Sequence, residues 1–201
     1  MIFGVRSTCV SQQDSSNYKI TKLRNLATLF TIGHSTRSLD ELIAALRAHG
    51  VQRLVDIRSF PMSRRLPHFN RENLERELPK NGIDYVWMKA LGGRRKKIRG
   101  ESPNTALRSD SFRNYADYML TPEFRDAAAD LVRLAEEKPT AYMCAERVYF
   151  RCHRMMLSDY LVAHGHTVLH IDATGPARAH QLMDVARVAG GELIYNGEEL
   201  F

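Results

Sequence analysis

Cysteine is scarce in this sequence: 201 residues hold three, Cys9, Cys144 and Cys152. An odd and sparse set cannot staple a small fold together, and it suits a reducing compartment. Equally missing is any uninterrupted apolar run close to the roughly 20 residues that span a bilayer. The opening residues, Met1 to Arg6, lack the apolar core of a signal peptide. The expectation is a cytoplasmic protein without membrane association. No C-x-x-C pair occurs, which removes the strongest sequence signature of a zinc site. No internal repeat and no second domain are visible either.

What is present points to one globular unit. The chain is 44% hydrophobic and 26% charged, ordinary for a soluble domain, and its length supports one sizeable core. Residues Ser7 to Asn17 are polar and aperiodic, so 1–27 is expected to be a flexible extension and 28–201 a single α/β domain. The net charge of +6 favours anionic partners, either a small molecule or nucleic acid.

Apolar runs alternate with amphipathic stretches. Strands are expected at 28–32, 53–57, 83–88, 140–143 and 167–171, with an edge strand at 192–195. Helices are expected from the capping box Ser38-Leu-Asp-Glu41 to Gly50, at 70–78, 112–120 and 122–137, and again at 152–164 and 176–189. Lys89 to Ser111 reads as a long polar connection with Gly92-Gly93 and the basic run Arg94 to Arg99. This alternation predicts a Rossmann-like three-layer α/β fold, a mainly parallel sheet with helices on both faces.

In such a sheet the ligand lies beyond the carboxyl ends of the strands. Those positions are unusually polar here: Gly33-His34-Ser35-Thr36 after the first strand, Asp56, Arg58 and Ser63-Arg64 around the second, Cys144 and Glu146 after the fourth, His170 and Asp172 at the fifth. The stretch Cys144-Ala-Glu-Arg-Val-Tyr-Phe-Arg-Cys-His-Arg154 concentrates two thiols, a carboxylate, an imidazole and a guanidinium where a helix begins. Cations and a helix N-terminus hold a thiol as thiolate, the form that attacks or binds metal.

The set Thr31-Ile-Gly-His-Ser35, Val55-Asp-Ile-Arg58 with Pro61 and Ser63-Arg64, Leu91-Gly92-Gly93, Cys144-Ala-Glu146, Cys152-His-Arg154 and Val168-Leu-His-Ile171 resembles the bacterial and archaeal family catalogued as domain of unknown function 488. The resemblance covers roughly Thr28 to Ile171. It implies a compact α/β domain whose rim carries the matched His, Ser, Asp, Arg and Cys positions, and it brings no established reaction. A strand, a cysteine loop and a helix also resemble rhodanese and the cysteine phosphatases in architecture alone. Here seven residues separate the two cysteines and the arginines fall at 147, 151 and 154, unlike a compact oxyanion loop.

The roles expected are a nucleophilic or substrate-contacting Cys144, with Glu146 or His34 as general acid or base and Asp56 orienting Arg58 or His34. Arg58 and Arg154 would clamp an anion, and Ser35, Ser63, Arg64, Cys152, His153 and His170 would bind substrate. The expected activity is that of a thiol-dependent hydrolase or transferase on a phosphate-bearing, nucleotide or nucleic-acid-like substrate. The alternative is a non-catalytic module that binds nucleic acid or senses redox state or metal. Thiolate and imidazole suit zinc or iron, but Cys152 and His153, adjacent on a helix, would point to different sides, so no metal ligand is assigned. The sequence names no cofactor. Tyr85 and Trp87 alternate in a way that suits core packing.

Overall fold

The capping box acts as the sequence predicts. Ser38 Oγ accepts from the Glu41 amide at 3.1 Å and Glu41 Oε2 accepts from the Ser38 amide at 2.7 Å, which closes the free amides of a helix start. It opens α1 (Leu39–Ala48) of a computed structural model that describes residues 26–197. Nearly all of the expected N-terminal extension lies outside the described residues.

Five strands run parallel: β1 (Thr28–Gly33), β2 (Arg53–Asp56), β3 (Asp84–Trp87), β4 (Thr140–Cys144) and β5 (Thr167–Ile171). Their spatial order is β3-β2-β4-β1-β5, with β6 (Arg178–Ala179) added antiparallel at the edge beside β5. Besides α1 the connections contain α2 (Arg71–Lys80), α3 (Asp110–Met119), α4 (Pro122–Glu137) and α5 (Arg154–Ala163). The chain steps from β1 to β2 to β3 in one direction and returns to β4 and β5 in the other. Right-handed crossovers must then place helices on opposite faces.

The core obeys this. On one face Leu42 and Leu46 of α1 and Leu74 and Leu78 of α2 pack with Ile32, Leu54, Ala141 and Met143. On the other, Tyr115, Phe124, Leu131 and Leu157 of α3, α4 and α5 pack with Leu29, Val55, Tyr142 and Val168. Neighbouring strand residues go to opposite faces, the period-two rule, so both faces are buried and the strands read as nearly continuous apolar runs. The expected Rossmann-like α/β architecture is present.

The expected helix at 176–189 is absent. In its place are β6 and a hairpin of β7 (Ala186–Ala189) and β8 (Glu192–Tyr195), joined by Gly190-Gly191 with φ of 60° and 84°. Two positive φ values are what a tight hairpin turn requires, and glycine meets them without strain. The edge strand expected at 192–195 exists, but it pairs with β7 in a separate two-stranded sheet. Tyr195 ties this hairpin to the long 89–111 connection: its carbonyl accepts from the Ala106 amide and its amide donates to Asn104 Oδ1, both at 2.9 Å.

Candidate functional site

All the polar loops predicted to carry chemistry emerge at one end of the sheet, but they separate onto its two faces. On the face of α1 and α2, Asp56 holds Arg58 in a fork: Arg58 Nε donates to Asp56 Oδ1 at 2.9 Å and Nη2 to Oδ2 at 2.5 Å. Nη2 also donates to the Phe69 carbonyl at 2.8 Å, and Nη1 lies 3.2 Å from His34 Nε2. Tyr85 Oη donates to Asp56 at 2.8 Å.

His34 Nδ1 is 2.9 Å from its neighbour's carbonyl, Ser35 O. A carbonyl only accepts, so Nδ1 carries the proton and Nε2 presents its lone pair to Arg58. Burial first, and then the charge of Arg58, lower the His34 pKa to about 4, so the ring is neutral at pH 7. Its face stacks on Phe69 at 4.1 Å.

Ser35, the next residue, has φ of 53°, the sole non-glycine positive value among the described residues. Such strain persists only where surroundings enforce it, and it clusters at functional sites. Here the enforcement is backbone pairing across the strand ends: the His34 amide donates to the Cys144 carbonyl at 3.0 Å and the Ser35 amide to the Ala145 carbonyl at 2.9 Å. The loops after β1 and β4 touch directly. A β-carbon on Gly33 would collide with the Glu146 carbonyl.

On the opposite face lies the sulfur cluster. Cys144 Sγ is 4.0 Å and Cys152 Sγ 3.5 Å from His153 Nδ1, and the three atoms lie within 4.8 Å of one another. This corrects the expectation that Cys152 and His153 diverge. Both precede the helix, and Cys152 is extended with φ −131° and ψ 150°, which turns the neighbouring side chains toward one point. Both thiols are free. The hydrogen bond between the sulfurs, with burial, drives the Cys144 thiol up. The same bond lowers Cys152, against burial and with help from His153 and Arg154. The two thiols titrate as a pair, the first proton leaving more readily than from a free thiol and the second less readily. Gly93 closes the cluster from above: a β-carbon there would stand 2.5 Å from His153 Nδ1.

The two expected anion clamps serve the protein itself. Arg154 is 1% exposed, and its guanidinium donates to Thr31 Oγ1 and to the carbonyls of Glu146 and Arg147 at 3.2, 2.5 and 3.0 Å. Arg58 is committed to Asp56, Phe69 and His34. Both fix the loops that carry other candidates.

Glu146 is exposed, and its carboxylate accepts from the Val148 amide at 3.3 Å. Together with His34, Ser35, Arg58, Ser63 and Arg147 it lines a cleft of about 360 Å³. Ser63 shapes the wall, its amide donating to Asn70 Oδ1 and its Oγ accepting from the Leu66 amide. Arg64 is exposed beyond it. His170 lines a separate cleft of about 480 Å³, stacked on Tyr149 at 3.6 Å.

Arg147, Arg37 and Tyr85 were not singled out by the sequence as site residues. Arg147 lines three clefts around the rim. Arg37 and Arg147 both bind Asp172, whose own carboxyl is held below its ordinary range chiefly by Arg147. Glu41 lines the same cleft as Arg37, and the excess of positive charge lies in the 480 Å³ cleft, where Arg147, Arg154 and Arg178 meet the one carboxylate of Asp172. The expected basic run is partly turned inward: Arg95 donates to the Gly92 and Ala90 carbonyls and sits 3.6 Å over the Tyr118 ring. Arg94, Lys96, Lys97 and Arg99 are exposed. Trp87 is no free stacking platform, since its Nε1 donates to the Arg58 carbonyl and Arg71 covers its ring.

Cys144, Cys152 and His153 are the residues whose donor set would accept a soft or borderline metal ion. No helix among the described residues is long and apolar enough to cross a membrane. Comparison with curated proteins and with solved structures finds no match. The family model described as "Domain of unknown function DUF488" matches residues 38–161, more than half of the chain, and the chain belongs to that family.

Proposed function

We propose that this chain is a thiol-dependent enzyme that acts on a phosphate-bearing substrate, a nucleotide or a nucleic-acid-like strand, bound along the carboxyl rim of the sheet. One observation carries the reading: three clefts meet around Arg147, and in one of them Arg147, Arg154 and Arg178 meet the single carboxylate of Asp172. A cationic surplus in a concave, partly apolar place is what an anionic ligand needs.

Glu146, exposed at the lip, is placed to exchange protons with bulk water, and His34 is held neutral beside it. The Cys144–Cys152 pair supplies the nucleophile. As Cys144 Sγ attacks phosphorus its proton passes to Cys152; the S–P bond forms while the bond from phosphorus to the leaving oxygen breaks, and the pair's negative charge departs on that oxygen. Arg58 and Arg154 keep the loops in register.

Alkylation by iodoacetamide in the presence of inorganic phosphate, mononucleotides and a short single-stranded oligonucleotide tests this. The expected result is saturable protection of Cys144 by at least one of these, weakened by salt for the oligonucleotide and lost in Arg147→Ala. Absence of protection by every anion, with Arg147→Ala indistinguishable, overturns it.

A second reading is favoured by the convergence of Cys144 Sγ, Cys152 Sγ and His153 Nδ1 within 4.8 Å. It makes the cluster a metal or redox sensor, since two thiolates and one imidazole leave a fourth tetrahedral position open. Metal content of the purified protein, compared with that of Cys152→Ala, decides between them.

A further inference from the structure

Two phenylalanines among the described residues stand largely in solvent, Phe60 at 65% and Phe150 at 56% exposure, and both lie on the rim. Phe60 lines the 360 Å³ cleft and Phe150 the 480 Å³ cleft, and Arg147 lines both. The two clefts therefore share a wall that carries a guanidinium. A lone exposed phenylalanine needs no explanation. Two in adjoining clefts, each with arginine beside it, are a pattern.

Each ring is braced. Tyr149 stacks on His170 at 3.6 Å with 14° between the planes. His170 is fixed from behind, because His180 Nδ1 lies 2.9 Å from its Nε2 and His180 Nε2 donates to the buried Asp159 carboxylate at 2.8 Å. Phe150 meets Tyr149 edge to face, at 5.5 Å and 84°. Such a contact covers at most one face of Phe150 and leaves the other for a ligand. On the far side, the Arg94 guanidinium lies over the Phe60 ring at 5.7 Å. The Arg94 amide donates to Ser59 Oγ at 3.0 Å, which seats the basic run against the loop of Phe60.

Charge surrounds these rings. Arg94, Lys96, Lys97 and Arg99 are exposed on the loop joined to Phe60, and Arg151 and Arg178 are exposed on the side of Phe150. Arg147 spends Nε and Nη2 on Asp172, at 3.0 and 3.2 Å, and keeps Nη1 for another acceptor. One carboxylate enters each cleft, Glu146 beside Phe60 and Asp172 beside Phe150. Cations along a concave track, interrupted by aromatic faces, suit a phosphate backbone whose bases are unstacked. A duplex hides those base faces, and a mononucleotide has one base for two rings.

We propose that the rim binds single-stranded nucleic acid, with Phe60 and Phe150 each stacking a base and Arg147 holding backbone phosphate between them. This rests on the reading of the rim as the seat of a phosphate-bearing substrate and names its class, an unpaired strand. Every base has a face to stack, so the recognition tolerates any sequence. The basic run supplies affinity that falls with salt.

The test is fluorescence anisotropy of the full chain with a short labelled oligothymidylate, the same strand carrying abasic sites, and a duplex of equal length. The intact strand is expected to bind more tightly than the other two. Phe60→Ala and Phe150→Ala each weaken it about 5- to 150-fold at unchanged salt slope, and Phe150→Trp restores binding. Arg178→Ala instead reduces the salt slope by about 0.7. Both phenylalanines are exposed, so these variants keep the fold. Equal affinity for the intact and abasic strands, equal affinity for the duplex, or phenylalanine variants that bind as the unaltered chain does overturns the proposal. A strand that does not bind at low salt also overturns it; if inorganic phosphate or a mononucleotide still protects Cys144 from alkylation, the phosphate reading survives, and if neither protects, both fall.

Discussion

Arg58 and Asp56 face each other almost wholly out of water: the arginine is 6% exposed, the aspartate not at all, and their closest contact is 2.5 Å. Asp56 ends β2 and Arg58 follows two residues later, close enough for its backbone amide and guanidinium both to reach the same carboxylate. Removing one partner of a buried pair leaves an unpaired buried charge. Asp56→Ala is therefore expected to cost about 3–5 kcal/mol in denaturant unfolding. Tyr85 loses its acceptor in the same change. Replacing both residues by apolar ones of similar volume costs less than Asp56→Ala alone, and a double variant weaker than the single one refutes this account.

Gly93 and His153 give a steric prediction. A β-carbon at 93 would stand 2.5 Å from Nδ1 and 2.6 Å from Cγ of the ring. Gly93→Ala must move the imidazole away from the sulfurs or lift the glycine loop. The expected cost is about 1–3 kcal/mol, as for overpacking elsewhere. The telling readout is thiol chemistry: with the ring displaced, the low-pH reactivity of the cysteine pair diminishes. Unchanged alkylation rates would show that His153 plays no part in it.

The two thiols make a kinetic prediction. Cys152 is held below the ordinary thiol range, first by the hydrogen bond from Cys144. Alkylation against pH should show a break well under the roughly 8.5 of a free thiol. Cys152→Ser is expected to move that break up, because it removes the thiolate that the arrangement protects. Were both cysteines inert until the protein unfolds, the thiol chemistry proposed above would have no basis.

His34 sets an acid limit on stability. Its folded pKa, about 4, lies below the unfolded value of 6.5, so between those values the unfolded chain binds more protons. The contribution is complete above pH 6.5 and declines as pH falls toward 4, amounting to about 3 kcal/mol. His170, lowered to about 3, acts in the same direction. In His34→Gln the side-chain oxygen still accepts from Arg58 but does not titrate. Urea midpoints measured from pH 7 to 4.5 should fall less steeply for that variant than for the unaltered chain.

The sheet was legible because its signals are local. Ser38 and Glu41 announce α1, Thr121-Pro122 announces α4, and the apolar runs at 28, 53, 140 and 167 have no polar alternation to confuse them. The residues 176–189 misled because Ala, Leu, Met and Val there fit a helical spacing. The stronger signal was Gly190-Gly191, a two-residue turn followed by the alternating Leu193 and Tyr195. Of the site, the rim position of His34, Asp56, Arg58, Cys144 and Glu146 could be foreseen from strand ends. That Arg58 and Arg154 turn inward could not, because burial of a guanidinium depends on which carbonyls surround it. The Asp159–His180 contact was invisible for a related reason: the two lie 21 positions apart, and His180 lies in the segment misread as helix.

The contact between Gly33 and the Glu146 carbonyl reaches beyond packing. With no room for even a methyl group between them, the segments bearing His34 and Cys144 are welded into one jaw, and a ligand cannot prise them apart. Whatever gives way to admit a guest must belong to the opposing jaw, built from the stretch after β2 and the glycine pair at 92–93. Variation in what the clefts accept should accordingly be sought there, and the welded half treated as the fixed anvil.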